Sequence, residues 1–210
     1  MPADKEDQRR ETGRRTRDRL LAAALELLAE RGPDGVTLRE ITDSAGANVA
    51  AASYHFGSLK ALCDAAIEHA LERYLDAQIH AMNAMNTGAT LDDLAAAFAQ
   101  PMISALAAGG TDLAVMRTLA RVGIDPPHGW DRLDGKFDHS RRIALRVLTD
   151  NLPGVPEEEL IFRTRCAAGM LNWLALAPIG TDLAAQPEVQ LSRLVIPVVA
   201  GAFHGSPTAA

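Results

Sequence analysis

The stretch Val36-Thr-Leu-Arg-Glu-Ile-Thr-Asp-Ser-Ala-Gly-Ala-Asn-Val-Ala-Ala-Ala-Ser-Tyr-His-Phe56 spells two short helices joined by a tight turn. Thr37 is placed to cap the first helix, and Glu40 stands three residues on, the spacing of a capping box. Leu38, Ile41 and Ala45 recur at i, i+3 and i+7 and give that helix one buried face. Gly46 ends it, because glycine enters the left-handed conformation without steric penalty. Asn48 caps the next helix, which runs through Val49, Ala51 and Ala52 to Phe56. Two short helices around a glycine-containing turn make a helix-turn-helix, whose second helix can enter a DNA major groove.

The pattern continues outward as helix on both sides. Upstream, residues 1–13 are polar and read as a flexible basic arm. A helix is expected from about Thr16 to Arg31, buried along Leu21, Ala24, Leu25 and Leu28. Downstream, Ser58 should cap a helix from Leu59 to about Met82. Further helices are expected from Thr90 to Gly109, from Thr111 to Gly123, over 132–151, from Glu157 to about Ala177, and from Pro187 to Gly201. No segment reads as a strand. The expectation is an all-α chain of about nine helices, with a helix-turn-helix unit over 14–65 and a larger helical domain over 66–210.

Composition narrows the function classes. The 210 residues carry a net charge of −6, which is unlike a typical nucleic-acid binder. Residues 1–62 hold ten Lys/Arg and ten Asp/Glu, so the whole excess of acid lies beyond them. Six arginines fall between Arg9 and Arg19 against Glu11 and Asp18, which makes the cationic footprint local. No apolar run approaches the ~20 residues that cross a bilayer, and the N-terminus lacks a signal-peptide core. A cytoplasmic protein with no membrane contact is expected. Cys63 and Cys166 show no metal spacing and read as free thiols.

The order and spacing of the Leu21–Gly32 helix, Val36-Thr37, Ile41, Ala45-Gly46, Tyr54-His-Phe-Gly-Ser58 and Ala61-Leu62 resemble the DNA-binding domain of the tetracycline-repressor (TetR) family of bacterial regulators. The run Leu152-Pro-Gly-Val-Pro-Glu-Glu-Glu-Leu160 resembles the start of the penultimate helix in one large subgroup. The chain departs from the family at Ser53, where tyrosine is common, with Tyr54 following. It departs again at Leu59, where the family's phosphate-contacting lysine usually stands, with Lys60 one residue on. The resemblance implies a homodimer that binds operator DNA and responds to a small molecule.

Candidate DNA contacts are Arg14 and Arg17 on the first helix, Thr37 and Asn48 at two helix N-termini, and Val49, Ala51, Ser53, Tyr54 and His55 on the reading helix, with Lys60 beyond it. The reading helix has no Arg or Lys to read guanine bidentately, so a large backbone and shape component is expected. Candidate effector contacts are Met102, Met116, Arg117, Arg121, Trp130, Phe137, Cys166, Met170 and Trp173. Leu191, Leu194, Val195 and Val198 repeat at helical spacing and are candidates for a dimer interface.

No Gly-rich phosphate loop, nucleophile elbow, cofactor motif or metal-ligand cluster is present in the sequence, so an enzyme is disfavoured. The reading that follows is a ligand-responsive transcriptional regulator, a repressor released from a palindromic operator. The alternative is a helical interaction protein that kept the fold and lost DNA binding.

Overall fold

A computed structural model describes residues 2–86, 88–125, 131–176, 183 and 186–204, with the side chains of 2–6 and 131–137 left out of account. These residues form nine α-helices and no strand: α1 (Pro2–Arg31), α2 (Leu38–Ser44), α3 (Val49–Phe56), α4 (Leu59–Asn83), α5 (Leu91–Ala108), α6 (Gly110–Ile124), α7 (Asp131–Asn151), α8 (Glu157–Leu176) and α9 (Glu188–His204).

Caps explain most of the boundaries. Thr37 and Glu40 close a complete capping box at α2, and Thr90 and Asp93 close another at α5. The Asn48 side chain accepts from the Ala51 amide at 2.7 Å, and Ser58 accepts from Ala61 at 3.1 Å. Gly46 turns the chain between α2 and α3 at φ 58°.

One boundary departs widely from expectation. The helix expected from Thr16 starts at Pro2, so the segment read as a flexible arm is helical. Local pairs extend it. Glu11 pairs with Arg14 and Arg15 at 2.8 and 3.0 Å, and Thr12 and Thr16 return their hydroxyls to carbonyls four residues back.

Two hydrophobic clusters organise the chain. The first joins Leu20, Leu25 and Leu28 of α1, Ile41 of α2, Ala52 of α3 and Leu62–Leu75 of α4. The second joins Leu94–Leu106 of α5 with Leu148, Leu160, Leu171, Leu191, Val195 and Phe203. Fully burying one such Leu or Ile contributes about 1.5–3 kcal/mol. Helix α6 belongs to both. Its Val115, Leu119 and Val122 enter the first cluster, and its Leu113, Met116 and Ala120 enter the second. The helix-turn-helix unit is therefore joined to the bundle through α6, which packs in both clusters, rather than by a linker.

Candidate nucleic-acid interface and adjoining cleft

Helix α3 is held by its inner face and leaves its outer face bare. Ala52 is buried between α2 and α1, and Phe56 is half-buried beneath the Arg17 guanidinium, 5.2 Å from the ring centroid. The exposed residues of the helix are Val49, Ala50, Ser53 and Tyr54, of which Tyr54 is 86% exposed. Ala51, a candidate from the sequence, is half-buried, and Ala50, which was not among the candidates, is exposed.

The remaining candidates divide by how their polar atoms are engaged. Asn48 uses its side-chain oxygen as a cap, which leaves its NH2 to donate outward. Thr37 donates its hydroxyl to Glu40 at 2.7 Å, and Arg31 binds the same carboxylate at 2.7 Å, so Thr37 acts as a cap here. Those bonds hold the Glu40 carboxyl below its ordinary pKa, with the Thr37 hydroxyl the largest cause. Lys60 is exposed and reaches Asp64 at 2.8 Å, while Arg14 reaches Glu11. His55 is half-buried against α1, where a Cβ on Gly13 would lie 3.8 Å from the ring.

The effector candidates do not converge. Arg117 donates to the Ala175 carbonyl at 3.1 Å, near the end of α8. Arg121 donates to the Ala29 and Glu30 carbonyls, at the end of α1. Both arginines share a helix face, as their spacing requires, and each caps a neighbouring helix. Met102 is packed in the bundle core, Cys166 and Trp173 are exposed, and Met170 is half-exposed. Trp130 and the Phe137 side chain lie outside the described residues. Only Met116 of these candidates lines the cleft of about 230 Å³ between α4, α5 and α6. The rest of its wall includes Arg73, Tyr74, Ala77, Gln100, Ser104 and Asp112, none of which the sequence singled out. Arg73 and Asp112 form a 2.8 Å ion pair between α4 and the first turn of α6.

The candidate interface residues split in two. Leu191 and Val195 are buried in the chain's own core against α5, which corrects their assignment. Leu194 and Val198 are 53% and 57% exposed. On α8, Phe162 and Trp173 are 67% and 60% exposed. Two helices in contact with each other thus each carry exposed apolar residues.

No helix among the described residues is long and apolar enough to cross a membrane. No group of three or more His, Cys, Asp or Glu among them could hold a metal ion.

Residues 20–66 match the family model described as bacterial regulatory proteins, tetR family, and residues 96–201 match the tetracyclin repressor-like C-terminal domain. The fold is similar to the TetR-family regulator PfmR from Thermus thermophilus, at TM-score 0.64 and 16% identity over 86% of this chain and 96% of that one. It is similar to a TetR-like regulator from Rhodococcus sp. RHA1, at TM-score 0.65 and 14% identity over 91% and 97%. A third, a transcriptional regulator from Rhodococcus sp. Rha1, gives TM-score 0.56 and 21% identity over 92% and 99%. No curated protein sequence matches. The second family model alone spans half of the 210 residues, and the chain belongs to the TetR family of DNA-binding transcriptional regulators.

Proposed function

We propose that this protein is a homodimeric repressor of a palindromic operator and that a small molecule releases it. The observation that carries the reading is the bare outer face of α3, with Tyr54 almost fully exposed on a helix whose inner side is locked into the core. A large aromatic left in water on a short capped helix has a use when that helix enters a groove. Val49 and Ala50 offer apolar contact to thymine methyls, and Ser53, Tyr54 and the Asn48 NH2 offer hydrogen bonds. The arginines of α1 supply backbone contacts and salt dependence.

The exposed face of Leu194, Val198, Phe162 and Trp173 supports pairing of two copies through α8 and α9 as a four-helix bundle. Such a dimer would present its two α3 helices to successive major grooves, about one helical turn apart. Release follows if a ligand favours a conformer whose α3 helices no longer match that spacing. Helix α6 is suited to transmit it, since it packs in both clusters and its arginines grip α1 and α8.

The test is selection from a genomic fragment pool at low salt, followed by mobility shifts on the enriched fragment. The expected result is a palindromic site bound in a salt-sensitive way by a dimer. Failure to enrich any fragment would overturn the reading and leave that of a helical interaction protein.

A further inference from the structure

Asn48 caps α3, and the first two residues past the cap, Val49 and Ala50, are both exposed, Val49 at 48%. Ser53 stands four residues beyond Val49, and Tyr54 four beyond Ala50, so each pair stacks along the helix. Helix α3 packs against α1, α2 and α4, and that packing leaves all four residues exposed. A helix-turn-helix brings the N-terminal residues of its second helix to base edges. Val49 and Ala50 therefore stand at the reading end.

The polar groups of this surface discriminate poorly between bases. A hydroxyl both donates and accepts, so Ser53 and Tyr54 can bond to any base edge they reach. Asparagine reads adenine by presenting oxygen and nitrogen together to N7 and the amino group. The Asn48 oxygen is instead turned onto the Ala51 amide at 2.7 Å. No side chain of α3 is a guanidinium or an ammonium, the groups that fork onto guanine. Guanine readout would have to come from the arginines of α1, of which Arg17 lies over the Phe56 ring at the far end of α3.

Val49 and Ala50 discriminate by what they cover. The C5-methyl of thymine is the apolar group of the major-groove edge. An apolar side chain laid on it removes apolar surface from water on both partners. The same side chain laid on the cytosine amino group or the guanine oxygen strips water from a polar atom and returns no hydrogen bond. We propose that α3 reads pyrimidine C5-methyl groups through Val49 and Ala50. Each operator half-site then carries thymine where the first turn of α3 enters it, and 5-methylcytosine substitutes for thymine there better than cytosine does. The proposal rests on the reading above that α3 enters operator DNA.

The experiment is fluorescence anisotropy with the full chain and duplexes of the site selected from genomic fragments. Half-site thymines are replaced one at a time by uracil, by cytosine or by 5-methylcytosine, with guanine opposite the last two. Uracil removes the methyl and keeps the hydrogen-bonding edge, whereas 5-methylcytosine keeps the methyl and changes that edge. At a contacted position uracil should bind about fourfold more weakly than thymine, and 5-methylcytosine about fourfold more tightly than cytosine, as burial of one methyl implies. In Val49→Ala the uracil penalty at one of these positions should shrink to about twofold or less, the coupling expected of a direct contact. A change in DNA shape caused by the lost methyl would persist in that variant. Val49 is exposed and alanine is the better helix former, so circular dichroism should match the wild type. A selected half-site built of G·C pairs, uracil duplexes that bind as tightly as thymine at every position, or uracil penalties that Val49→Ala leaves intact each overturn the proposal alone. Failure to select any site overturns the regulator reading, and the proposal with it.

Discussion

The Arg121 guanidinium of α6 donates to the carbonyl of Ala29 at 2.9 Å, and its second arm reaches Glu30 at 3.1 Å. The last carbonyls of α1 lack intrahelical partners and sit at the negative end of the helix dipole, so a fixed cation satisfies and stabilises them. Thr118, one turn back on α6, adds a bond to the Leu25 carbonyl. The same helix lines the cleft through Val115 and Met116. A shift of α6 therefore acts on α1, against which α3 is packed.

Replacing Arg121 by alanine removes that grip. Arg121 is partly exposed, so the loss expected in a urea melt is about 1–2 kcal/mol. Operator binding by the ligand-free protein should persist, and release by effector should become less complete. An unchanged melt together with unchanged release would show that the bond transmits nothing.

Tyr54→Ala tests the reading face. The side chain packs little against its own chain, so helicity and melting temperature should stay at wild-type values. Operator affinity should fall about tenfold or more, in line with ~1–3 kcal/mol for a good contact to a base. Measuring both on one preparation separates readout from folding.

The two sides of α9 predict opposite phenotypes. Leu194→Arg combined with Val198→Arg places charge on the exposed side and should give a folded monomer by light scattering. Leu191→Ala on the buried side should instead cost about 2–5 kcal/mol in a melt, as core truncations do. A double-arginine variant that stays dimeric would move the interface elsewhere.

The two thiols should react very differently. Burial raises the Cys63 thiol to about 11, with Asp64 adding to the shift, so few thiolates form there at pH 8. Cys166 lies on the exposed side of α8. A thiol reagent should modify Cys166 in the folded chain and spare Cys63. Reaction at Cys166 should quicken in the double-arginine variant, because a partner copy on α8 and α9 would cover it.

Acid should weaken the N-terminal caps. The Glu40 and Asp93 carboxyls lie below their ordinary values of 4.5 and 3.8, held there chiefly by the hydroxyls of Thr37 and Thr90. A lowered folded-state pKa contributes stability above the unfolded value, and that share is lost as pH falls through the folded one. Urea midpoints should therefore drop between pH 5 and pH 2. The paired substitution Glu40→Gln and Asp93→Asn should flatten that drop. Thr37→Ala should cost about 1 kcal/mol at neutral pH.

Much of the fold is legible in short-range chemistry. Thr37 with Glu40, Asn48, Ser58 and Thr90 each satisfy a helix end with an atom three residues away, so spacing alone locates α2 to α5. The start of α1 escapes such reading because a charged, glycine-containing segment looks disordered by composition, while its i,i+3 and i,i+4 pairs sustain a helix. The reading helix is located by its cap, while the exposure of Ala50 and the partial burial of Ala51 depend on how it packs.

The cleft and the apolar faces are beyond such reading. Leu191, Leu194, Val195 and Val198 share one periodicity, and nothing local says which two meet α5 and which two meet solvent. Arg117 and Arg121 declare a common face, but their acceptors, Ala175 and Ala29, lie 58 and 92 residues away. Gln78 joins Ser140 across 62 residues. By itself, then, the sequence determined the caps, the helices and the helix-turn-helix, because each depends on atoms within one turn of chain. Only the packing of α6 between α1, α4, α5 and α8 decided which partners its polar groups take, because those pairings are made between distant segments.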